Sequence, residues 1–302
     1  MGTRTSKLSS IDLALDGLED GQTLIIGGSL FHNKPMFLVR EIIRRQIKDL
    51  IVVSVPQASI DVDLLISAGC VAEVRVPYMG FEYLGLAPGF RKAASDGKIR
   101  VWECDETHIL AALEASARKL PSGIAKAGVG TDVHRLNPDL KLVKDHISGE
   151  PLTAVAALKP DLAIMHAAAG DKYGNLRYSG YSFADLMVAE ATRQGGGKVV
   201  ASVDEVVPNA SFTKDPFRTN ISCMLIDHVI EAPYGAYPCS SHGSYQFNEA
   251  AIVEYLNASK TEQGTLDYID DHVMSVPSHD EYLDKHVNLH SLIEAKAKTY
   301  VD

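Results

Sequence analysis

The stretch DGQTLIIGGSLFHNKP, residues 20–35, decides the fold of this chain. Asp20-Gly21 reads as a turn, Thr23–Ile26 is a short apolar run typical of a buried strand, and two glycines follow it. Pro35 suits the first turn of a helix, because a residue at that position needs no free N–H. A turn, a buried strand, a glycine loop and a helix together form the start of a βα unit, which favours a parallel sheet.

The same alternation of short apolar runs and helical patterns continues through the first two thirds of the chain. It predicts the α/β class, with an open, largely parallel sheet covered by helices on both faces. We expect one domain over residues 1–302, with a polar helical tail from about residue 249, and an irregular section at Ser122–Gly149. The predicted strands are Thr23–Ile26, Leu50–Ser54, Glu73–Val76, Ile99–Glu103, Leu152–Leu158, Asp161–His166 and Lys198–Val203. The predicted helices are Ile11–Leu18, Pro35–Ile47, Asp61–Ser67, Glu106–Leu120, Phe183–Arg193, Glu249–Asn257 and Asp280–Lys296.

Composition and charge exclude some classes of binding partner and indicate a cellular compartment. Of 302 residues, 46% are hydrophobic, and 29 basic against 39 acidic side chains give a formal net charge of −10. Such a chain repels nucleic acid and anionic lipid, so we expect no nucleic acid and no membrane partner. No apolar run approaches the ~18 residues of a membrane span, and residues 1–17 lack the apolar core of a signal sequence. The four cysteines form no C-x-x-C pair, which is typical of reduced thiols and predicts a cytoplasmic protein.

The glycine loop itself is the first candidate site. Gly27 and Gly28 let the backbone turn sharply and let a ligand approach the main chain. The N-terminus of the following helix offers N–H groups to an anion, and Lys34 adds a full positive charge. The alternative is a tight βα turn in which the glycines serve packing only. The loop lacks both the G-x-G-x-x-G and the G-x-x-x-x-G-K-[ST] patterns, so carboxylates and thioesters remain as ligands.

The same loop resembles the first signature of the family I coenzyme A transferases, with Ser29 in place of the usual Phe and Asn33 in place of the usual Gly. The resemblance extends to the α subunits of glutaconate CoA-transferases. It includes GVGTD at residues 128–132, EAPYGAYP at 231–238 and DEYL at 280–283. It therefore covers nearly the whole chain and implies the CoA-transferase fold. Since α subunits of this kind work in αβ pairs doubled or quadrupled by symmetry, it also implies a hetero-oligomer such as a heterotetramer.

In that family a glutamate carboxylate attacks the acyl-CoA and carries CoA as a glutamyl thioester to a second carboxylic acid. The signature that holds this glutamate, S-E-N-G, is missing here. Glu205 follows a predicted strand and is interpreted as a buried acid or strand-end cap. The resemblance thus implies no catalytic residue in this chain, a β subunit that carries the catalytic Glu, coenzyme A as substrate and no bound cofactor. The histidines form no H-E-x-x-H or other metal spacing, so no metal is expected.

Within the resemblance, the predicted substrate-binding residues have named roles and alternatives. Backbone N–H groups of the glycine loop would hold a thioester oxygen or a carboxylate, and the Ser29 hydroxyl would either add a donor or cap the helix. Lys34 would pair with a substrate carboxylate or stay solvated, and Asn33 would cap the helix or bind substrate. Residues 128–131 would approach the acyl site or form a surface turn, and a neutral His242 would donate to a carboxylate or be an ordinary loop histidine. The candidates are Gly27, Gly28, Ser29, Asn33, Lys34, Gly128, Gly130, His242 and Tyr245.

Two other functions share this scaffold. Some relatives are two-chain hydrolases that open a ring of a CoA-linked, steroid-derived substrate by adding water, and the departures at Ser29 and Asn33 leave this possible. The broad fold also serves as an effector-binding subunit without catalysis. An assay with an acceptor acid separates the CoA-transferase from the hydrolase, because a hydrolase needs no second carboxylate.

Overall fold

The computed structural model describes residues 4–287, and its main sheet is parallel as predicted. Seven strands lie in the order β11-β10-β8-β1-β2-β3-β4, every neighbouring pair is parallel, and β9 adds an antiparallel partner to β8. In chain order the strands are β1 (Thr23–Ile26), β2 (Leu50–Ser54), β3 (Val71–Arg75), β4 (Arg100–Val101), β5 (Ser122–Ala125), β6 (Lys141–Lys144), β7 (Pro151–Ala156), β8 (Leu162–Gly170), β9 (Leu176–Arg177), β10 (Lys198–Val206) and β11 (His228–Glu231).

Helices cover both faces of this sheet. In chain order they are α1 (Ile11–Ala14), α2 (Met36–Arg44), α3 (Ile60–Ser67), α4 (Pro88–Ser95), α5 (Glu106–Ala117), α6 (Val133–Leu136), α7 (Asp185–Gly195), α8 (Ala210–Thr213), α9 (Glu249–Ala258), α10 (Glu262–Ile269) and α11 (His279–His286). Side chains of β1 alternate between two cores: Leu24 and Ile26 pack with α2 and α3, whereas Ile25 packs with α5 and α7. A strand buried on both faces explains the unbroken apolar run in the sequence.

The order of the strands creates one reversal point. The chain builds β1 to β4 outward in one direction, then returns to place β8 against the free side of β1 and continues to β10 and β11. In open parallel sheets, ligands bind outside the carboxyl ends of the strands where the order reverses. That position lies between β1 and β8, and the glycine loop follows β1 there.

The prediction of an irregular section at Ser122–Gly149 is wrong. β5 and β6 of this section pair on either side of β7 in a separate three-stranded antiparallel sheet, so the strand predicted at Leu152–Leu158 lies outside the main sheet. Gly123 suggests a loop in the sequence, but a Cβ there would lie 2.1 Å from the Ala111 carbonyl oxygen of α5. The glycine is needed for close packing of a strand on a helix.

The other boundaries agree in outline with the prediction. Helix α4 and the edge strand β11 were missed, whereas α9 follows the predicted Glu249–Asn257 closely. Helix α11 takes up the beginning of the predicted Asp280–Lys296, and the part beyond residue 287 lies outside the described residues. Within residues 4–287, no helix combines the length and the apolar character needed to cross a membrane.

Candidate active site

The two glycines of the loop are required by close packing. Gly28 has φ +73°, and a Cβ there would lie 2.5 Å from the His32 carbonyl oxygen. A Cβ on Gly27 would lie 2.7 Å from Oδ1 of Asp185, the first residue of α7. Any side chain at either position would displace backbone or a buried carboxylate, so the glycines let the loop fold tightly onto itself and onto α7.

The backbone N–H groups of Gly27, Gly28 and Ser29 are engaged inside the protein. Gly27 donates to the Ile164 carbonyl at 2.9 Å, Gly28 to Asp185 Oδ1 at 2.7 Å and Ser29 to the His32 carbonyl at 2.9 Å. At the start of α2, Phe37 donates to the Gly235 carbonyl at 2.8 Å. The hypothesis that these donors hold a thioester oxygen therefore finds no free N–H among them, because each already has an acceptor.

Asp185 was not identified from the sequence and is the main support of the loop. It is fully buried; Oδ1 accepts from Gly28, and Oδ2 accepts from the Tyr178 hydroxyl at 2.6 Å. Burial raises the pKa of Asp185 to about 6, against the opposing effect of these two hydrogen bonds. An Asp at the start of a helix is ordinarily interpreted as a helix-capping residue, and its partner here is 157 positions away.

Lys34 and Asn33 also tie the loop to the rest of the molecule. The Lys34 ammonium has no exposed surface and lies 3.0 Å from Asp61 Oδ2 and 2.9 Å from Ser54 Oγ. A contact between Lys34 and a substrate carboxylate would require these buried partners to be released. Asn33 has φ +55°; its amide donates to the Tyr181 carbonyl and its oxygen accepts from the His242 N–H, each at 2.7 Å. The Asn33 side chain thus joins two other loops and does not cap α2.

Among the predicted binding side chains of the loop, Ser29 has the weakest internal hydrogen bond. Its hydroxyl has one partner, Gln57 Oε1 at 3.4 Å, and the residue is buried. It does not cap the following helix, because Pro35 occupies the cap position of α2 and no side chain bonds there. The Ser29 hydroxyl therefore remains our candidate donor to a substrate.

The remaining candidates separate into two groups. The His242 ring accepts from the Tyr181 N–H at 3.0 Å and lies 5.2 Å from the His32 ring, so it is close to the glycine loop. Gly128, by contrast, packs against His108 and Val133 in the turn before α6, and a Cβ on Gly130 would meet nothing within 4 Å. The contacts at residues 128–130 are those of a turn, and their place at the acyl site stays a prediction.

A cavity opens at the carboxyl ends of β8 and β10, with a volume of about 440 Å³, and no residue of the glycine loop is among its lining residues. We call it the β8–β10 cavity. Glu205 lines it and is exposed, so the interpretation of Glu205 as a buried acid is wrong. The lining residues are Ala168, Ala169, Ser179, Asp204, Glu205, Pro233, Tyr234, Ser244 and Tyr245.

Tyr245 and Asp204 form the polar wall of this cavity. The Tyr245 hydroxyl accepts from the Ala236 N–H at 3.2 Å and donates to Asp204 Oδ1 at 3.3 Å. Burial and the nearby Asp204 carboxylate raise the pKa of Tyr245, which keeps the hydroxyl protonated. Asp204 Oδ1 also lies 3.2 Å from His166 Nε2, whereas its Oδ2 is buried and has no hydrogen-bond partner in the described part of the chain.

Ser202, His166 and Asp204 have the spacing of a catalytic triad but not its accessibility. The Ser202 Oγ lies 2.9 Å from His166 Nδ1, and His166 Nε2 faces Asp204. Both Ser202 and His166 are fully buried. A serine nucleophile must reach the substrate carbonyl, so this group positions Asp204 and does not supply a nucleophile.

One set of side chains has the proximity required for a metal ion within residues 4–287: Asp271, His272 and His286. The two imidazole rings are stacked with centroids 4.0 Å apart and planes 22° apart. Nearly parallel, stacked rings cannot both direct an in-plane lone pair at one ion. His272 Nδ1 and His286 Nε2 also face the carbonyl oxygens of Tyr268 and Asp271. The stack is better explained as packing between the C-terminal helices.

Comparisons with known proteins cover most of the chain. The coenzyme A transferase family model matches residues 8–232. The cholesterol ring-cleaving hydrolase IpdA subunit of Rhodococcus jostii is 36% identical over 89% of this chain and 92% of its own length. An uncharacterized protein of Archaeoglobus fulgidus is 32% identical over 92% of this chain, which spans only 61% of that protein's length. The crystal structure of glutaconate coenzyme A-transferase from Acidaminococcus fermentans has a TM-score of 0.88 and 27% identity, covering 96% of both chains.

Proposed function

This chain belongs to the coenzyme A transferase family, and from that premise we propose that it is the α subunit of a heteromeric acyl-CoA:carboxylate CoA-transferase. The observation that carries the proposal is the agreement with glutaconate coenzyme A-transferase over 96% of both chains, at a TM-score of 0.88. In that role the chain takes coenzyme A as a substrate and holds no cofactor of its own.

The proposed division of labour follows from what the site contains. The glycine loop carries no carboxylate nucleophile, and its N–H groups support its own fold. A β subunit would supply the glutamate that attacks the thioester, and the CoA thiolate released would return to form a glutamyl-CoA thioester. This chain would contribute the wall of the acyl pocket, with Ser29 as a hydroxyl donor and Asp185 and Asn33 as the groups that hold the loop in place. Its four cysteines carry free thiols, which supports a cytoplasmic location.

A ring-opening hydrolase is the second candidate. The observation in its favour is that identity to the hydrolase chain of Rhodococcus jostii, 36%, exceeds the 28% identity to the glutaconate CoA-transferase chain of Acidaminococcus fermentans. In the hydrolase, water rather than a second carboxylic acid would take part in the reaction. Relatives named for both reactions align with most of this chain, so the fold does not choose between them.

The test begins with the protein from its own cells. We expect native mass spectrometry of the purified, untagged protein to show a second chain in equal number. Acetyl-CoA, butyryl-CoA and glutaryl-CoA are then incubated with this complex, with and without added acetate. CoA transfer that needs the acid supports the transferase, and ring opening of a CoA-linked steroid fragment without added acid supports the hydrolase. A homo-oligomer that binds acyl-CoA but has neither activity contradicts the proposal.

A further inference from the structure

The β8–β10 cavity indicates which acyl groups the enzyme accepts. Resting on the proposed function, we infer that this cavity binds the uncharged, hydroxyl-bearing part of an acyl-CoA, with Asp204 as the hydrogen-bond acceptor. The cavity lies at the carboxyl ends of β8 and β10, next to the reversal point of the sheet at β1 and β8. Its volume of about 440 Å³ is in the range of small-molecule sites.

Charge excludes a carboxylate from the cavity. Asp204 and Glu205 both line it, and none of its lining residues is a Lys, Arg or His. At a separation of 4 Å near a protein surface, two like charges repel by ~4 kcal/mol. The free carboxylate of a dicarboxylic acyl group would face these two acids without a compensating cation among the lining residues that the structure describes. The cavity therefore favours an acyl end without charge.

The cavity wall contains a polar atom that lacks a hydrogen-bond donor. Asp204 Oδ1 already accepts from His166 and Tyr245, but Oδ2 is buried without a partner among residues 4–287. A buried acceptor that is left unsatisfied costs ~1–3 kcal/mol. Oδ2 itself has almost no exposed surface, but the Asp204 side chain is 17% exposed, so a small rotation would bring Oδ2 to a substrate hydroxyl; a hydrogen bond to this ionised group would be stronger than one between neutral groups.

Another part of the cavity wall can donate a hydrogen bond to the oxygen of that hydroxyl group. The Oγ atoms of Ser179 and Ser244 lie 2.8 Å apart, so one hydroxyl donates to the other, and the proton of the accepting hydroxyl stays available as a donor. Tyr234 has φ +55°, a left-handed conformation that costs ~1–2 kcal/mol in a residue other than glycine. Its ring lies 5.2 Å from that of Tyr245, and Ala168 and Ala169 complete the apolar surface. The cavity thus combines small apolar walls with donors and acceptors for one neutral polar group.

The test compares acyl-CoA esters of matched length on the native complex. Dissociation constants are measured by titration calorimetry for 3-hydroxybutyryl-, 4-hydroxybutyryl- and 6-hydroxyhexanoyl-CoA, for butyryl- and hexanoyl-CoA, and for succinyl- and adipyl-CoA. We expect at least one hydroxylated ester to bind ~10-fold more tightly than its unsubstituted counterpart. We expect the dicarboxylic esters to bind more weakly than both.

Variants then assign the preference to Asp204. Asp204→Asn keeps the size of the side chain but removes its charge, and we expect the preference for the hydroxylated over the unsubstituted ester to fall to less than ~3-fold. Asp215→Asn, at a half-exposed acid outside the cavity, is the matched control and should keep the full preference. If Asp204→Asn fails to fold, the comparison of esters on the unaltered complex still decides.

The outcomes separate the two proposals. Equal binding of hydroxylated and unsubstituted esters, or tightest binding of a dicarboxylic ester, overturns the inference about the cavity and leaves the α-subunit function in place. A hydroxyl preference that survives Asp204→Asn overturns the role of Asp204. Failure of the complex to bind any acyl-CoA overturns the proposed function and the inference with it.

Discussion

The glycine loop and the β8–β10 cavity lie at neighbouring strand ends, yet they use their polar groups in opposite ways. The N–H groups of Gly27, Gly28 and Ser29 are bonded internally, and Lys34 is neutralised by Asp61. In the cavity, the Asp204 Oδ2 has no partner in the part of the chain that the structure describes. The motif that stands out in the sequence is thus the supporting wall, and the groups with unused bonding capacity lie beside it.

The largest expected effect comes from breaking the buried ion pair of the loop. Lys34→Ala leaves Asp61 charged in the core without its partner, which costs ~3–5 kcal/mol of unfolding free energy. Chemical denaturation monitored by circular dichroism measures this loss of unfolding free energy. Lys214→Ala, at an exposed lysine, should change stability by less than ~0.5 kcal/mol. If Lys34→Ala abolishes acyl-CoA binding while leaving stability intact, Lys34 contacts substrate and the loop is not only a wall.

A smaller effect is expected from filling the space beside Gly28. Gly28→Ala adds a Cβ 2.5 Å from backbone oxygen and imposes a left-handed alanine, for a combined cost of ~2–3 kcal/mol. Gly130→Ala has a similar φ, +79°, but open space, so it should lose only ~1 kcal/mol. The difference in thermal stability between the two variants gives the steric part of the loss at Gly28. Equal losses would mean that the loop is loosely packed in solution.

The pH dependence of stability tests the anchor of the loop. The pKa of Asp185 is about 6 when folded and 3.8 ordinarily, so between these values the folded state binds the extra proton. The contribution of Asp185 to unfolding free energy therefore falls by ~2–3 kcal/mol as pH rises from about 4 to 6, and stays low above that. Asp185→Asn removes this component, which is measured as the difference between wild type and variant in denaturation series from pH 4 to 8.

Asp63 provides a matched control for that experiment. Burial also raises the pKa of Asp63 to about 6, but this carboxylate accepts from Gly89 and Phe90 at the start of α4, away from the loop. Asp63→Asn should remove a similar pH-dependent component without changing the KM for acyl-CoA. Asp185→Asn should change both. If the two variants have the same effect on KM, Asp185 does not position the loop for substrate.

The smallest effect is expected in the cavity. Tyr245→Phe removes one donor to Asp204 and one acceptor for the Ala236 N–H, for ~1 kcal/mol of stability. Asp204 Oδ1 keeps its contact with His166 at 3.2 Å, so hydroxyacyl-CoA binding should change by less than ~5-fold. Titration calorimetry on the complex measures the dissociation constant of the hydroxyacyl-CoA. A loss of stability above ~3 kcal/mol would show that the cavity wall is as tightly packed as the loop.

Local pattern was enough to predict the parallel sheet, because β1 and β2 were identified with their observed bounds from apolar runs between turn signals. It did not reveal the small antiparallel sheet, since every residue of β6 is exposed and no apolar alternation marks that strand. The candidate site was likewise predicted only in part. Gly27 and Gly28 were visible as a motif, whereas Asp185 and Asp204 act through contacts with residues far along the chain. Such contacts leave no local signal.

Under the proposed function, this chain forms one wall of an acyl-CoA site whose nucleophile belongs to another subunit. Trapping tests it most directly: the native complex is incubated with acyl-CoA, reduced with borohydride, digested and mapped by mass spectrometry. We expect a glutamate of the β subunit to be reduced to the corresponding alcohol, with no modification of any carboxylate in this chain. Modification of a glutamate of this chain, such as Glu205 beside the cavity, would contradict it.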